Sequence, residues 1–322
     1  MPLPDALKSR LRLPLIAAPM FLVSGPALVK AACRAGVIGS FPTANCRTVE
    51  ELDRWLLDMN EDLKRAADEI GRVPAPICPN LIVHRSNTRV PEDLAAVLRH
   101  KVEMVITSVG SPEPVLKPLK DAGCLVLADV ASVRHAEKAV AAGVDGLVLL
   151  TAGAGGQTGW VNPFAFVRAV RTFWQGIVAM AGGMADGQAI AAAETLGCDL
   201  AYMGTKFIAT RESMAKDAYK EMLVESRLDD VLLTRSFTGL ETNMLRPSIT
   251  AAGLDPDNLP TRGAIDIVQD INPDAQDRPE AKRWKDIWSA GHSVSGVSDV
   301  PSVAELVDRT EAEYRCSRPS PA

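Results

Sequence analysis

Aromatic side chains are scarce in this chain of 322 residues, at 5%, and 35 Lys and Arg stand against 40 Asp and Glu, for a net charge of −5. That excludes the base-stacking platforms and cationic stripes of nucleic-acid binders, and it offers nothing to anionic lipid. No apolar run reaches the roughly 18 residues of a membrane helix. The opening MPLPDALKSRLRLPLIAAPM has no signal-peptide layout. The cysteines Cys33, Cys46, Cys78, Cys124, Cys198 and Cys316 form no CxxC and no metal-ligand spacing. Most lie in apolar segments, where a free thiol behaves as a small hydrophobe, so reduced buried thiols and a cytoplasmic location are expected. Also missing are a strand–GxxxxGK[ST] loop, a GxSxG elbow and a GxGxxG with its downstream acid.

What the chain does have is core material, 47% apolar residues against 23% charged. Short apolar runs alternate with helical patterns: LPLIAAPM, VIGSFPTA, APICPNLIV, MVITSVG, CLVLADVA, GLVLLTA, GIVAMAGG and DLAYMGTKFIAT read as strands buried on both faces. A charged helix is expected over 49–70. Eight strand–helix units within about the first 225 residues predict an α/β fold, a closed (β/α)8 barrel, with a doubly wound open sheet as the competing architecture. After Glu225 the pattern changes. Residues 1–225 are expected to form the barrel, and 226–322 a C-terminal extension covering its mouth, with helices around 280–290 and 302–314.

In a barrel the chemistry sits at the C-terminal ends of the strands. Those ends are small and amide-bearing here, with Asp129 and Lys206 the charged exceptions. Such a mouth does not suit carboxylate metal binding or paired-carboxylate glycoside hydrolysis; it suits a flat ligand approached closely by backbone. Gly182–Gly183 after the seventh strand and Gly204–Thr205 after the eighth could converge N–H groups on a phosphate, or be ordinary tight turns. The loop TAGAGGQTGW, 151–160, either wraps a ring system with Gln157 projecting into the site or is a flexible linker. His84, His100 and His135 read as surface or structural residues. His292, in WSAGHSVSG, is compatible with either a packed polar residue or a site residue.

Taken together, PLIAAPM, ADVASVRHAEKAVAAGVDGLVL, AGGQTG, AMAGGMADGQAIAAAETLGCDLAYMGTKFIATRES and WSAGHSVSG resemble the nitronate monooxygenase family of FMN-containing barrels. The resemblance implies that Ala18, Pro19 and Met20 back the flavin ring, with Asn80 among its partners. It implies that Asp129 stands near the flavin, where some relatives carry lysine. Gly155, Gly156 and Gly159 would shape the loop over the ring, and Gly182, Gly183, Gly204 and Thr205 would bind the FMN phosphate. Relatives read AGGH where this chain has Gln157, and glutamine cannot exchange protons near pH 7. The implied activity is FMN-dependent oxidation of alkyl nitronates with O2 as electron acceptor, with Gln157 and His292 as the candidate catalytic residues. The wider superfamily leaves two alternatives: an NAD(P)H-dependent flavin reductase of quinones or enoyl thioesters, and a non-redox barrel binding a phosphorylated metabolite. The expected partner is a small molecule, with no nucleic acid and no membrane; a homodimer is left open.

Overall fold

A computed structural model describes residues 2–260 and 286–318. Its strands are β1 (Leu15–Ala17), β2 (Ile38–Pro42), β3 (Ile77–Ile82), β4 (Met104–Ser108), β5 (Leu125–Val130), β6 (Gly146–Leu150), β7 (Gly156–Gln157), β8 (Ile177–Ala181), β9 (Leu200–Met203), β10 (Val231–Thr234) and β11 (Thr242–Leu245). Eight of them form a closed barrel in the order β1-β2-β3-β4-β5-β6-β8-β9. All the pairings are parallel, and Ile16 opposite Tyr202 closes the ring. The fold is a (β/α)8 barrel, and the open sheet is excluded because β1 and β9 leave no edge. Among the described residues no helix is long and apolar enough to cross a membrane.

Side-chain alternation along each strand divides the core into two shells. Outward residues such as Leu15, Val105, Val126, Leu147, Val178 and Ala201 pack beneath the helices. Inward residues Ile16, Cys78, Ile106, Leu127, Val148, Ala179 and Leu200 fill the barrel interior. Two residues farther along each of those strands, the same inward direction presents Ala18, Asn80, Ser108, Asp129, Leu150, Ala181 and Tyr202. That layer is the floor of the mouth.

Local signals set the helix ends. Helix Val49–Ile70 starts where the Thr48 side chain accepts from the Glu51 N–H and stops at Gly71 in the left-handed region. Helix Val303–Ser317 opens with a capping box between Ser302 and Glu305. It does not lie over the mouth. Val303, Leu306, Val307 and Tyr314 join the outer shell, and the helix packs against helices Gly187–Leu196 and Pro26–Arg34, closing the helical ring. Arg12 ties it down through Asp308 at 2.9 Å and through Glu311. The helix expected around 280–290 falls partly outside the described residues, and 286–290 is turn and extended chain.

The closest helix contact predicts a steric effect. A Cβ on Gly187 would stand 2.1 Å from the Tyr314 nitrogen and 2.3 Å from the Thr310 oxygen, both backbone atoms. Gly187→Ala should therefore force the C-terminal helix outward and destabilise the fold by about 1–3 kcal/mol, the usual cost of overpacking. Equilibrium urea unfolding reads this directly; an unchanged midpoint would refute the close packing.

Candidate functional site

The barrel floor opens into a cavity of about 220 Å³. The N-terminal half of its wall is Ala18, Pro19 and Met20 after β1, then Asn80, Ser108 and Asp129 at the ends of β3, β4 and β5. The loop after β6 contributes Gly155, Gly156 and Gln157; the turns after β8 and β9 contribute Gly182, Gly183, Gly204 and Thr205. Residues from distant stretches of sequence thus surround one space. Tyr219, Thr238, Trp288, Ser289, Ala290 and Ser293 cover it from the C-terminal side.

The segment 151–160 is held in place from outside the barrel. Its strand β7 joins the three-stranded antiparallel sheet β10-β11-β7, with Thr242 opposite Gln157 and Asn243 opposite Gly156. The Thr158 N–H donates to Glu241 O at 3.0 Å, and Asn243 Nδ2 donates to Ala154 O at 2.7 Å. The segment is a built element rather than a flexible linker. Gln157 lines the cavity, and its side-chain amide makes no hydrogen bond among the described residues.

At the glycine turns the backbone itself is exposed to the cavity. Gly183 has φ of +73°, and a Cβ built there would find nothing within 4 Å. The Thr205 hydroxyl accepts from the Gly291 N–H at 3.0 Å, so the cover is hydrogen-bonded to the end of β9 while the hydroxyl proton stays uncommitted. Lys206, charged and next in sequence, is not in the lining; its Nζ donates to the Gly296 carbonyl.

Among the described residues Asp129 is the one ionisable carboxyl of the lining, and no Lys, Arg or His accompanies it there. Its Oδ1 is buried with no hydrogen-bond partner among the described residues. Desolvation pushes its pKa from 3.8 up to about 8, so the acid is mostly neutral at pH 7. Asn80 beside it is better satisfied, accepting from Ser108 Oγ at 3.1 Å and donating to Ile106 O at 3.3 Å.

The histidines are placed differently from the sequence reading. His292 is not part of the lining: its backbone N–H donates to Gly153 O at 2.8 Å, and its ring lies against Gly153, largely exposed. Partial desolvation lowers its pKa. His100, read as surface, is mostly buried and pairs with Asp53 at 2.9 Å, while His84 is half-buried beside Ser86. His135 is exposed on its helix.

Sequence reasoning missed several members of the wall. Tyr202 was within reach, since alternation from the inward Leu200 points it into the mouth. Val109, a β-branched residue at φ of 59°, had no signal in the sequence; left-handed backbone there stores about 1–3 kcal/mol. Tyr219 and Trp288 stack at 5.0 Å with rings 11° apart, and Tyr219 Oη donates to Ser289 O at 2.5 Å. Only tertiary packing brings that pair to the mouth.

The barrel mouth thus combines the glycine turns after β8 and β9 with a lining of mostly small and apolar residues, and no group of residues placed to hold a metal ion is found among the described residues. The nitronate monooxygenase family model matches residues 6–312, and the chain belongs to that family, whose members are flavin-dependent oxidoreductases. A nitronate monooxygenase of Paraburkholderia phytofirmans is 30% identical, over 94% of this chain and 93% of its own. One from Pseudomonas aeruginosa is 29% identical over 70% of this chain and 74% of its own. Among solved structures, the nitroalkane oxidase from Streptomyces ansochromogenes superposes with a TM-score of 0.77 and 25% identity, covering 98% of this chain and 99% of its own. FabK from Thermotoga maritima shares the fold at a TM-score of 0.78 and 22% identity, covering 97% and 95%.

Asp129 gives the folded protein a pH signature. Between its ordinary pKa of 3.8 and its folded value of about 8, the folded state keeps a proton that the unfolded chain has released. Stability contributed at this position is therefore complete below the lower value and is lost as pH rises toward the upper one. Asp129→Asn should flatten that part of the flavin-free protein's stability profile, read by urea midpoints from pH 5 to 9. Parallel profiles for the two proteins would show that the carboxyl ionises normally.

Proposed function

We propose that the chain is an FMN-dependent oxidoreductase that oxidises alkyl nitronates, with O2 receiving the electrons. The observation that carries this reading is one cavity in which the two glycine turns, the Gly156–Gln157 strand and a cover built around Tyr219 and Trp288 converge, with no basic side chain among the described lining residues. Two features bear on whether FMN fits. The space beside Gly183 is open where any other residue would carry a Cβ, and the Gly183 N–H makes no hydrogen bond among the described residues. Two strands away in the ring, Asp129 Oδ1 is buried with no hydrogen-bond partner among the described residues, which a polar ring edge would relieve. Both features suit the group. One phosphate cradle, with no second dinucleotide motif, favours FMN over FAD.

When bound, FMN supplies a two-electron acceptor that O2 can reoxidise. The protein's own contribution is positional. Gly182, Gly183, Gly204 and Thr205 would hold the phosphate through N–H groups and one hydroxyl. Ala18, Pro19 and Met20 would back the ring, with Gly155 and Gly156 on the loop above it. Gln157 would donate its free amide to a nitronate oxygen, stabilising negative charge without accepting a proton. Ile208, Tyr219 and Trp288 would exclude water from the reacting carbon. In this reading residues 1–225 form the flavin-bearing body. The cover comes from Tyr219 of that body and from the later residues 226–260 and 286–300, tied down through β7 and Thr205.

A nitronate has already lost its α-proton, so no base is needed; a neutral nitroalkane requires one. Among the described residues no histidine lines the cavity, and Asp129 is mostly protonated at pH 7. Ethyl nitronate should therefore be oxidised about 10²–10⁴ times faster than nitroethane, the usual worth of a positioned base. His292→Ala should leave that ratio unchanged. Equal rates on both substrates would overturn the argument, and a selective loss of nitroethane turnover in His292→Ala would make His292 the base. Anaerobic bleaching by NADH as fast as by nitronate would favour a reductase instead.

The phosphate assignment has its own test. Gly183→Asp tolerates the left-handed backbone comparatively well but sets a negative charge against a phosphate. The variant should fold, with an unaltered far-ultraviolet spectrum, and retain less than about a tenth of the flavin, as repulsion of even 1.4 kcal/mol is tenfold in binding. Full flavin content would remove the phosphate from this turn.

A further inference from the structure

Asp129 is the most unusual group in the molecule. It sits at the C-terminal end of β5 with Val148 of β6 opposite in register, one carboxyl oxygen buried and unpartnered. The titratable groups that face it are the Tyr202 hydroxyl from β9 and the Cys78 thiol from β3. Burial raises the pKa of both, so both are neutral and neither supplies a positive charge. Its polar neighbours Asn80 and Ser108 are bonded to each other. Asp129 is half-buried as a whole, but an ionised carboxylate here would keep one desolvated oxygen without a hydrogen bond, whereas a protonated one offers one donor and one acceptor.

Resting on the FMN reading above, we propose that Asp129 meets the flavin as a neutral carboxylic acid, and that its proton sets the pH dependence of the flavin's reduction. The imide edge of an isoalloxazine carries an N–H beside carbonyl oxygens. A carboxylic acid matches that edge with its own O–H and C=O; a carboxylate matches only the N–H. Reduction of the ring takes two electrons and leaves more negative charge on it. A neutral acid neither attracts nor repels that charge, but a carboxylate repels it. Ring reduction therefore holds the proton on Asp129 more tightly, and in the pH range where the oxidised protein has lost it, reduction takes one up. Asp129 acts here as a positioning and tuning residue and exchanges no proton with substrate.

The structure without flavin already puts the ionisation near pH 8, so the effect belongs above neutrality. The experiment is a spectroelectrochemical titration of the FMN-loaded protein from pH 6 to 10, for the native chain and Asp129→Asn. Above its ionisation the native protein should show one extra proton per two electrons. That is a further tenfold fall in the reduction equilibrium per pH unit, about 30 mV for a two-electron couple. Asp129→Asn should lack this added slope. Two further readouts need no turnover. The oxidised flavin's absorption band in the native protein should shift over the same pH range. A protonated-carboxyl C=O stretch should be present in the infrared at pH 7 and absent from the variant. If native protein and variant titrate with the same slope and the native absorption band does not move, the proposal is overturned while the FMN reading stands. A protein that takes up no flavin overturns both.

Discussion

A closed parallel barrel leaves its strands no freedom to choose which residues face inward. Once Ile16 of β1 pairs with Tyr202 of β9, the ring is complete, and the two-residue period sends every second side chain toward the axis. The lower inward layers are filled by Ile16, Ile106, Leu127 and Val148. The last layer holds Ala18, Ala181, Asn80, Ser108, Asp129 and Tyr202, and the alanines leave room that larger residues would occupy. The cavity is thus the top of the core, left incompletely filled, rather than a groove between elements. Asp129 inherits its surroundings from the same closure. Its strand position obliges it to face a space enclosed by apolar and neutral groups, and burial does the rest.

The cover is the second dependency. β11 reaches back to pair with β7, so the position of Gln157 is decided by Thr242 and Asn243, some 85 residues later in the chain. The abundance of glycine in 151–160 has a packing cause beside any role in wrapping a ring. A Cβ on Gly155 would come within 2.7 Å of the Gly291 nitrogen, and one on Gly153 within 2.7 Å of the His292 ring. Loop and cover approach each other backbone to backbone. The same approach turns His292 away from the cavity, because its main chain is spent on Gly153 while its ring rests on the outer side of that residue.

The proposed function rests on this division of labour. The barrel ends offer backbone N–H groups and small surfaces, which can hold an anionic cofactor without a basic side chain. The cover contributes aromatic bulk through the stacked Tyr219 and Trp288, and the clamped loop contributes one free amide. In the proposed function acid–base chemistry has little place in the site, and orientation and exclusion of water have a large one.

All eight barrel strands, the helix at Val49–Ile70, the C-terminal helix and the glycine turns after β8 and β9 were legible in the sequence alone. Each is written in a local signal: uniform apolarity over a few residues, helical periodicity between caps, or glycine at a strand end. The family could likewise be read from short motifs. What the sequence could not decide was which distant segments would meet. The helix Val303–Ser317 went to the outer ring rather than the mouth, His292 faced outward, and Trp288 came to lie on Tyr219. Val109 adopted a backbone conformation its residue type disfavours, and Asp129 Oδ1 was left without a hydrogen-bond partner among the described residues. None of these is a property of a residue and its neighbours in sequence. Each depends on the geometry of barrel closure and on packing between segments tens to hundreds of residues apart, where tertiary contact overrides local preference.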